Sequence, residues 1–389
     1  MEIALWLSLF IVFYAFAGYG ILLFIIIKIK RALRGKPVAP VVADADLPTC
    51  SLVIAAYNEE GFIIEKIKNT LELEYPAGKL ELVFITDGSS DRTPDLISTY
   101  PQIRLMHSPE RLGKIAAIHR AMDTITRDVV VFTDANTYLN PDALLKICRH
   151  YANPKVGAVA GEKRVHVDAT ADATAGEGFY WKYESKLKTW DAELHTVVGA
   201  AGELFSIRTS LYRPISPNAI LDDFMISLLV AEEGYRVLYE PEAYATETSS
   251  ANVKEELKRK IRIAAGGIQS IVWLKSLLNP FKQPLLSFQY ISHRVLRWTV
   301  VPFLMILSLI LNVVIVAAGG GLIYQLLLIA QLGFYGASLA GWLLERREIK
   351  VKLLFIPYYF CMMNYAVIRG IFRYMAGAQS AVWEKSERK

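Results

Sequence analysis

The chain has 389 residues, 53% of them hydrophobic, and carries 43 Lys and Arg against 38 Asp and Glu for a formal net charge of +5. That length accommodates one full α/β domain together with several spanning helices. Cys50, Cys148 and Cys361 show neither paired spacing nor a histidine partner, which argues against zinc or disulfides and suits a reducing compartment. No alternation of basic and aromatic residues points to nucleic acid.

Ile3 to Ile27 carries no charge, and it exceeds the ~20 residues needed to cross a bilayer. It lacks a basic n-region, and its apolar stretch is too long for a signal peptide, so it reads as an anchor. Lys28, Lys30, Arg31, Arg34 and Lys36 follow at once, which places that flank in the cytoplasm and the amino terminus outside. These cations explain much of the net charge and favour anionic lipid.

A linker rich in Ala, Val, Pro and Asp, Pro37 to Pro48, leads into a hydrophilic block. Ser51–Ala56 is a short apolar strand ended by Tyr57-Asn58-Glu59-Glu60, and a helical pattern then runs to about Leu73. Glu81–Ile85 is a second strand ended by Asp87-Gly88, followed by a helix cap at Ser89-Ser90-Asp91. Ile103–His107 is a third strand, Gly113–Thr126 a helix, and Asp128–Thr133 a fourth strand that ends at Asp134. This alternation predicts a doubly wound, mostly parallel sheet with a ligand of nucleotide size across its carboxyl edge. From Val156 to Glu247 short strands and helices mix with no clear period.

Three segments put aspartates at the ends of apolar runs: Ile85-Thr86-Asp87-Gly88-Ser89, Phe132-Thr133-Asp134-Ala135-Asn136 and Ile220-Leu221-Asp222-Asp223. At the carboxyl ends of strands such carboxylates can hold a hard cation against a diphosphate, or take a proton from a nucleophile.

Trp298 to Leu344 is again uncharged, and Ala317-Ala318-Gly319-Gly320-Gly321 sits near its middle, which predicts a helical hairpin in the membrane. Leu353 to Ile368 carries Pro357 and Asn364 and is either a kinked span or a helix in the interface. Arg294 and Arg297 before the hairpin, and the basic stretch Glu345–Lys352 after it, both fit the cytoplasmic side. A fourth span would put the basic tail Trp383–Lys389 outside, against the same rule. The expected divisions are a transmembrane helix at 1–30, a basic linker at 31–48, an α/β domain at 49–250, amphipathic interfacial helices at 251–294, two or three transmembrane helices at 295–376, and a basic tail at 377–389.

Six blocks in order resemble the family 2 glycosyltransferases, which have the GT-A fold. They are Ala55–Glu59, Thr86–Asp91, Gly113-Lys114, Phe132–Asn136, Gly199–Gly202, and Leu221–Asp223 with Glu233–Val237 and Glu240–Ala243. The match covers roughly Ser51 to Gln269, and the flanking spans resemble those of membrane-bound bacterial members that make or extend polysaccharides. The resemblance implies an inverting hexosyltransferase that takes a sugar from a nucleotide-sugar donor, with a UDP-sugar expected. The sugar would pass to a lipid-linked or polysaccharide acceptor at the cytoplasmic face of the inner membrane. Membrane lipids, and partners that export the product, are implied with it.

By that resemblance Ala56, Tyr57, Glu59, Asp87, Lys114 and Asp134 match donor-binding positions. Asp134 matches the first aspartate of a DxD element that holds Mg²⁺ or Mn²⁺, and Asn136 replaces the second. An amide oxygen still ligates, but without charge. Asp223 matches the catalytic base, and Asp222 stands where the family usually has Glu; adjacent carboxylates raise each other's proton affinity. Gly202, Glu203, Arg259 and Arg262 match acceptor-binding positions. Where processive members carry Gln-x-x-Arg-Trp, this chain has Arg259-Lys260-Ile261-Arg262-Ile263. Arg262 is retained, while the missing Trp removes a stacking platform for a sugar. Three alternatives stand beside this expectation. One is a processive synthase of the poly-N-acetylglucosamine or hyaluronan type. Another is a nucleotidyltransferase, which shares the early sheet and a metal aspartate but does not demand Asp223, and the third a non-catalytic membrane scaffold with a degenerate transferase domain.

Overall fold

The computed structural model describes residues 1–166, 174–248, 253–347, 349 and 351–377; the expected basic tail, from 378 on, lies outside them. The helices α1 (Glu2–Phe13) and α2 (Tyr19–Arg34) are joined through a π-helical turn at Tyr14–Gly18. A sheet then alternates with helices: β1 (Cys50–Ala56), α3 (Ile63–Leu71), β2 (Leu80–Asp87), α4 (Thr93–Ser98), β3 (Arg104–Ser108), α5 (Lys114–Met122) and β4 (Val129–Asp134). It continues with β5 (Thr137–Leu139), α6 (Ala143–Cys148), β6 (Val156–His166), α7 (Thr174–Leu194), β7 (Leu204–Arg208), α8 (Asp222–Glu232) and β8 (Arg236–Thr248). The chain closes with α9 (Val253–Trp273), α10 (Pro284–Tyr290), α11 (Leu296–Trp298), α12 (Val301–Ala317), α13 (Leu322–Glu345) and α14 (Lys352–Met375).

Two compact units result. One is built mainly from Ile27–His166 and Lys188–Ser249, the other mainly from Met1–Ile26, the greater part of α7 and the helices from α9 onward.

The first unit is an eight-stranded sheet in the order β3-β2-β1-β4-β7-β6-β8-β5. β3, β2, β1 and β4 are parallel, as the alternation predicts, and the observed strand ends differ from the predicted ones by one or two residues. Burial on both faces explains the unbroken apolar runs of β1 and β4. α3 buries Ile63 and Ile67 in the same core as Leu52 and Ile54 of β1. The half that resisted reading is mixed: β7 runs antiparallel to both β4 and β6, whereas β6 and β8 pair in parallel with two register shifts. Those pairings join segments far apart in the chain and leave no local period. The strand order reverses between β1 and β4, and there Ala55 pairs with Asp134. Ligands of open α/β sheets bind at the carboxyl ends of strands at such a switch point.

α1 and α2 form one apolar helix of 33 residues, which belongs to the second unit as far as Ile26, and α13 of that unit is 24 residues long. Both are long and apolar enough to cross a membrane, and α10–α11 with α12, bent by 59°, qualify only as a pair. α12 and α13 are joined by a turn after Ala317, at the place where the sequence predicts a hairpin. α14 continues through Pro357 and does not meet that length-and-composition criterion. The carbonyls of Ala15 and Phe16, in the π-helical turn, accept from Arg297 Nε at 2.8 Å and Tyr183 Oη at 2.7 Å. Arg294 and Arg297, expected as flanking charges, close on buried Glu184 at 2.9 and 3.1 Å, and His293 Nε2 lies 2.7 Å from the same carboxylate. In α12 and α13, Asn312 donates to Gln331 at 2.8 Å, a polar link suited to helices in lipid. The cations after the first span are likewise not all free for lipid. In the sheet unit Arg31 pairs with Glu193 at 2.6 Å, and Lys30 donates to the Glu193 carbonyl.

Candidate active site

At the carboxyl edge of the sheet, the loops after β1 and β2 are stitched together. Asn58 adopts φ 52°, which Asn tolerates better than most residues. Its side chain accepts from Ser90 N at 2.8 Å, while Glu59 N donates to Thr93 Oγ1 at 2.9 Å. Ala56 closes β1, and Tyr57 beyond it carries the guanidinium of Arg111 3.8 Å from its ring centroid. Gly88, at φ 68°, leaves no room for a side chain, because a Cβ would stand 2.7 Å from Arg111 Cα.

Asp87 was expected as a nucleotide contact. Its Oδ2 accepts from Leu112 N at 2.9 Å and Gly113 N at 2.6 Å, so this carboxylate folds the loop that presents Lys114. Its Oδ1 is buried without a hydrogen bond and faces Arg120 Nη1 at 3.6 Å.

From the start of α5, Lys114 Nζ reaches Asp134 Oδ1 at 2.8 Å and Asp222 Oδ2 at 3.5 Å. Residues 88 positions apart thus meet on one ammonium. Burial opposes the Lys114 charge, but the carboxylates of Asp134 and Asp222 outweigh it and hold the proton far above the usual range. Asp222 is 7% exposed, and its Oδ2 has no hydrogen bond. Asp222 and Asp223 form the first turn of α8 after Leu221 at its cap position, where the helix dipole favours acids. Withdrawal from water and the adjacent Asp222 charge push the Asp223 carboxyl up to about 7, against the pull of Lys114.

The loop before β7 closes the site. A Cβ at Gly202 would lie 3.4 Å from Asp223 Oδ2 and 3.7 Å from Lys114 Nζ, so this backbone borders both groups. Ser227 holds the loop in place, accepting from Ala200 N at 2.9 Å and donating to Asp223 O at 2.7 Å. Gly199, at φ 83°, could carry no Cβ without striking the Phe224 ring at 2.0 Å. Glu203 is buried; its carbonyl accepts from Thr133 Oγ1 at 2.7 Å, and its carboxylate meets Lys163 at 2.5 Å. Lys163 also pairs with Glu247. Asn136 lies in the turn between β4 and β5.

Ala56, Tyr57, Glu59, Asp87, Lys114, Asp134, Asn136, Gly202, Glu203, Asp222 and Asp223 therefore all belong to the sheet unit, while Arg259 and Arg262 belong to α9 of the helical unit. Arg259 pairs there with Glu256 at 4.0 Å, and Lys260 with the same residue at 3.2 Å. Sequence reasoning missed Arg111, Lys66 and Ser227. Lys66 lies in an otherwise ordinary amphipathic helix, and only its phase on the buried face could have drawn attention to it.

Residues 51–215 match the Glycosyl transferase family 2 model. That stretch, under half of the chain, is similar to the family, and the mostly parallel sheet with flanking helices is the GT-A fold. It is 31% identical over 167 residues to the beta-monoglucosyldiacylglycerol synthase of Trichormus variabilis, which covers 41% of this chain and 34% of that protein. It is 26% identical over 251 residues to a poly-beta-1,6-N-acetyl-D-glucosamine synthase of Staphylococcus aureus, covering 62% of this chain and 59% of that one. The matched region thus spans between a third and three-fifths of the relatives' lengths. A mannosyltransferase from Pyrobaculum calidifontis, solved with GDP-Man and Mn2+, superposes with a TM-score of 0.71 over 97% of this chain and all of its own, at 23% identity, and shares the fold.

Proposed function

We propose that the protein is an inverting, membrane-embedded glycosyltransferase. It moves a sugar from a nucleoside diphosphate donor, a UDP-sugar in the first instance, to a hydroxyl of a lipid-linked or polysaccharide acceptor at the cytoplasmic face of the inner membrane. The observation that carries this reading is the meeting of Asp134, Asp222 and Lys114 at the sheet's switch point, beside a carboxyl at Asp223 that titrates near neutrality. A base works best when its pKa lies near the working pH. Asp223 takes the acceptor's proton as that oxygen bonds to the anomeric carbon, and the bond from this carbon to the diphosphate oxygen breaks with its electron pair. Lys114 offsets the charge that grows on the leaving group. Gly202 leaves the approach to Asp223 open, and Glu203 holds the acceptor side of the same loop. Tyr57 and Glu59 line the nucleoside side of the edge.

Among the described residues no cluster of three or more His, Cys, Asp or Glu forms a ready-made cage for a metal. The donor set still suits Mg²⁺ or Mn²⁺, which bind through one or two carboxylates with phosphate and water oxygens. Asp134 would be the carboxylate ligand and Asn136 a neutral one, and the Lys114 ammonium already marks the place as one that takes a cation. When bound, the metal supplies positive charge to the departing diphosphate.

The test is a screen of UDP- and GDP-sugars for hydrolysis and transfer by the detergent-purified protein, with and without Mn²⁺. Metal-dependent turnover of one donor, lost in Asp134→Ala, is expected; turnover of none would overturn the reading. A second reading, processive synthesis, draws on the Staphylococcus aureus relative. Long polymer from the donor alone would favour it, and single transfer to an added acceptor the first.

A further inference from the structure

Lys66 is 1% exposed and among the largest fully buried side chains of the protein. Its ammonium donates to the carbonyl of Thr137 at 2.7 Å. Lys66 makes no ion pair among the described residues, and the charge that acts on it is that of Asp134. Burial pushes the Lys66 ammonium down to about 7, against the pull of Asp134, so its charge grows when an anion arrives beside it.

The surroundings show what the ammonium holds. Thr137 is the first residue of β5, directly after the turn that carries Asp134 and Asn136. Its hydroxyl donates to Asp134 O at 2.9 Å and lies 3.0 Å from Thr133 Oγ1. Along the same helix, Asn69 grips Leu139 through two hydrogen bonds, at 2.8 and 2.9 Å, and Glu65 accepts from Tyr138 Oη at 2.6 Å. β5 is thus fastened to α3 at three successive residues. The contrast between Asn69 and Lys66 is informative. A neutral amide is enough to fasten this strand, yet the position next to the turn carries a lysine.

We propose that Lys66 is a positioning residue for the donor diphosphate: it sets the Asp134–Asn136 turn and supplies buried positive charge alongside it. The inference rests on the donor reading given above. Preorganised charge of this kind needs no rearrangement when an anion arrives.

The experiment is equilibrium binding of UDP, and separately of GDP, to the full-length protein in detergent at fixed Mn²⁺, paired with thermal unfolding, for wild type, Lys66→Met, Lys66→Arg and Asn69→Ala. Lys66→Met should lose about tenfold in affinity for the diphosphate that wild type binds, while unfolding no lower than wild type because a buried charge is gone. Lys66→Arg, too large for its slot, should unfold earlier yet keep the affinity. Asn69→Ala should unfold earlier with a smaller change in binding. Affinity that follows unfolding temperature across the four proteins would reduce Lys66 to a support of the fold. Unchanged affinity in Lys66→Met would overturn the inference and leave the donor reading standing. A wild type that binds neither UDP nor GDP would overturn that reading, and the inference with it.

Discussion

Two charge clusters in this protein are mirror images in sign. In the helical unit one carboxylate, Glu184, faces three groups that carry or can take positive charge: His293, Arg294 and Arg297. At the edge of the sheet one ammonium, Lys114, contacts Asp134 and Asp222 and feels the charge of Asp223. The first arrangement saturates its anion, and burial among cations holds the Glu184 link shut as a bracket between helices. The second leaves its anions short of positive charge, so one of them keeps its proton near neutrality and the group as a whole calls for another cation. On the proposed function, buried charge serves cohesion in one place and chemistry in the other.

The sharpest way to break this comparison is Asp223→Asn. Transfer should fall by about 10³-fold, with donor binding retained in calorimetry; substantial turnover in that variant would remove Asp223 from the role of base. Next in size is Glu184→Ala, which should lower the stability of the detergent-solubilised protein by about 3 to 5 kcal/mol, read as earlier thermal unfolding, and leave the donor's affinity intact. A variant that keeps its unfolding temperature but loses donor binding would show that the two clusters do not divide their tasks in this way.

The smallest effect lies in the pH profile. Burial and Asp222 raise the Asp223 carboxyl to about 7, and a base acts only when deprotonated, so kcat/KM should fall by about tenfold per pH unit below that value. Asp222→Asn takes away a like charge and should move this acid limb toward lower pH. A limb that stays in place, or moves up, would mean that Asp222 does not set the proton affinity of its neighbour.

Much of the sheet's first half was legible because each strand there is a continuous apolar run ended by a polar turn, and parallel neighbours are joined through one local helix. The three aspartate segments stood out for the same reason. Their roles did not follow as evenly. Asp134 and Asp222 meet on Lys114, and Asp87, expected as a nucleotide contact, also holds the Leu112–Gly113 backbone. Juxtamembrane Arg31 and Lys30 read as lipid-facing but engage Glu193, since a basic side chain looks the same in sequence whether its partner is a phosphate or a carboxylate.

By itself the sequence determined the apolar helices long enough to span a bilayer, the parallel core and the chemical kinds of residue at its carboxyl edge, because these depend on local hydrophobic pattern and strand punctuation. Only the tertiary structure decided that Lys114 joins Asp134 to Asp222, that Lys66 lies buried beside the turn after β4, and that β6, β7 and β8 pair in mixed directions. Each of those facts is a contact between distant segments, and burial and charge pairing act through space with no trace in the spacing along the chain.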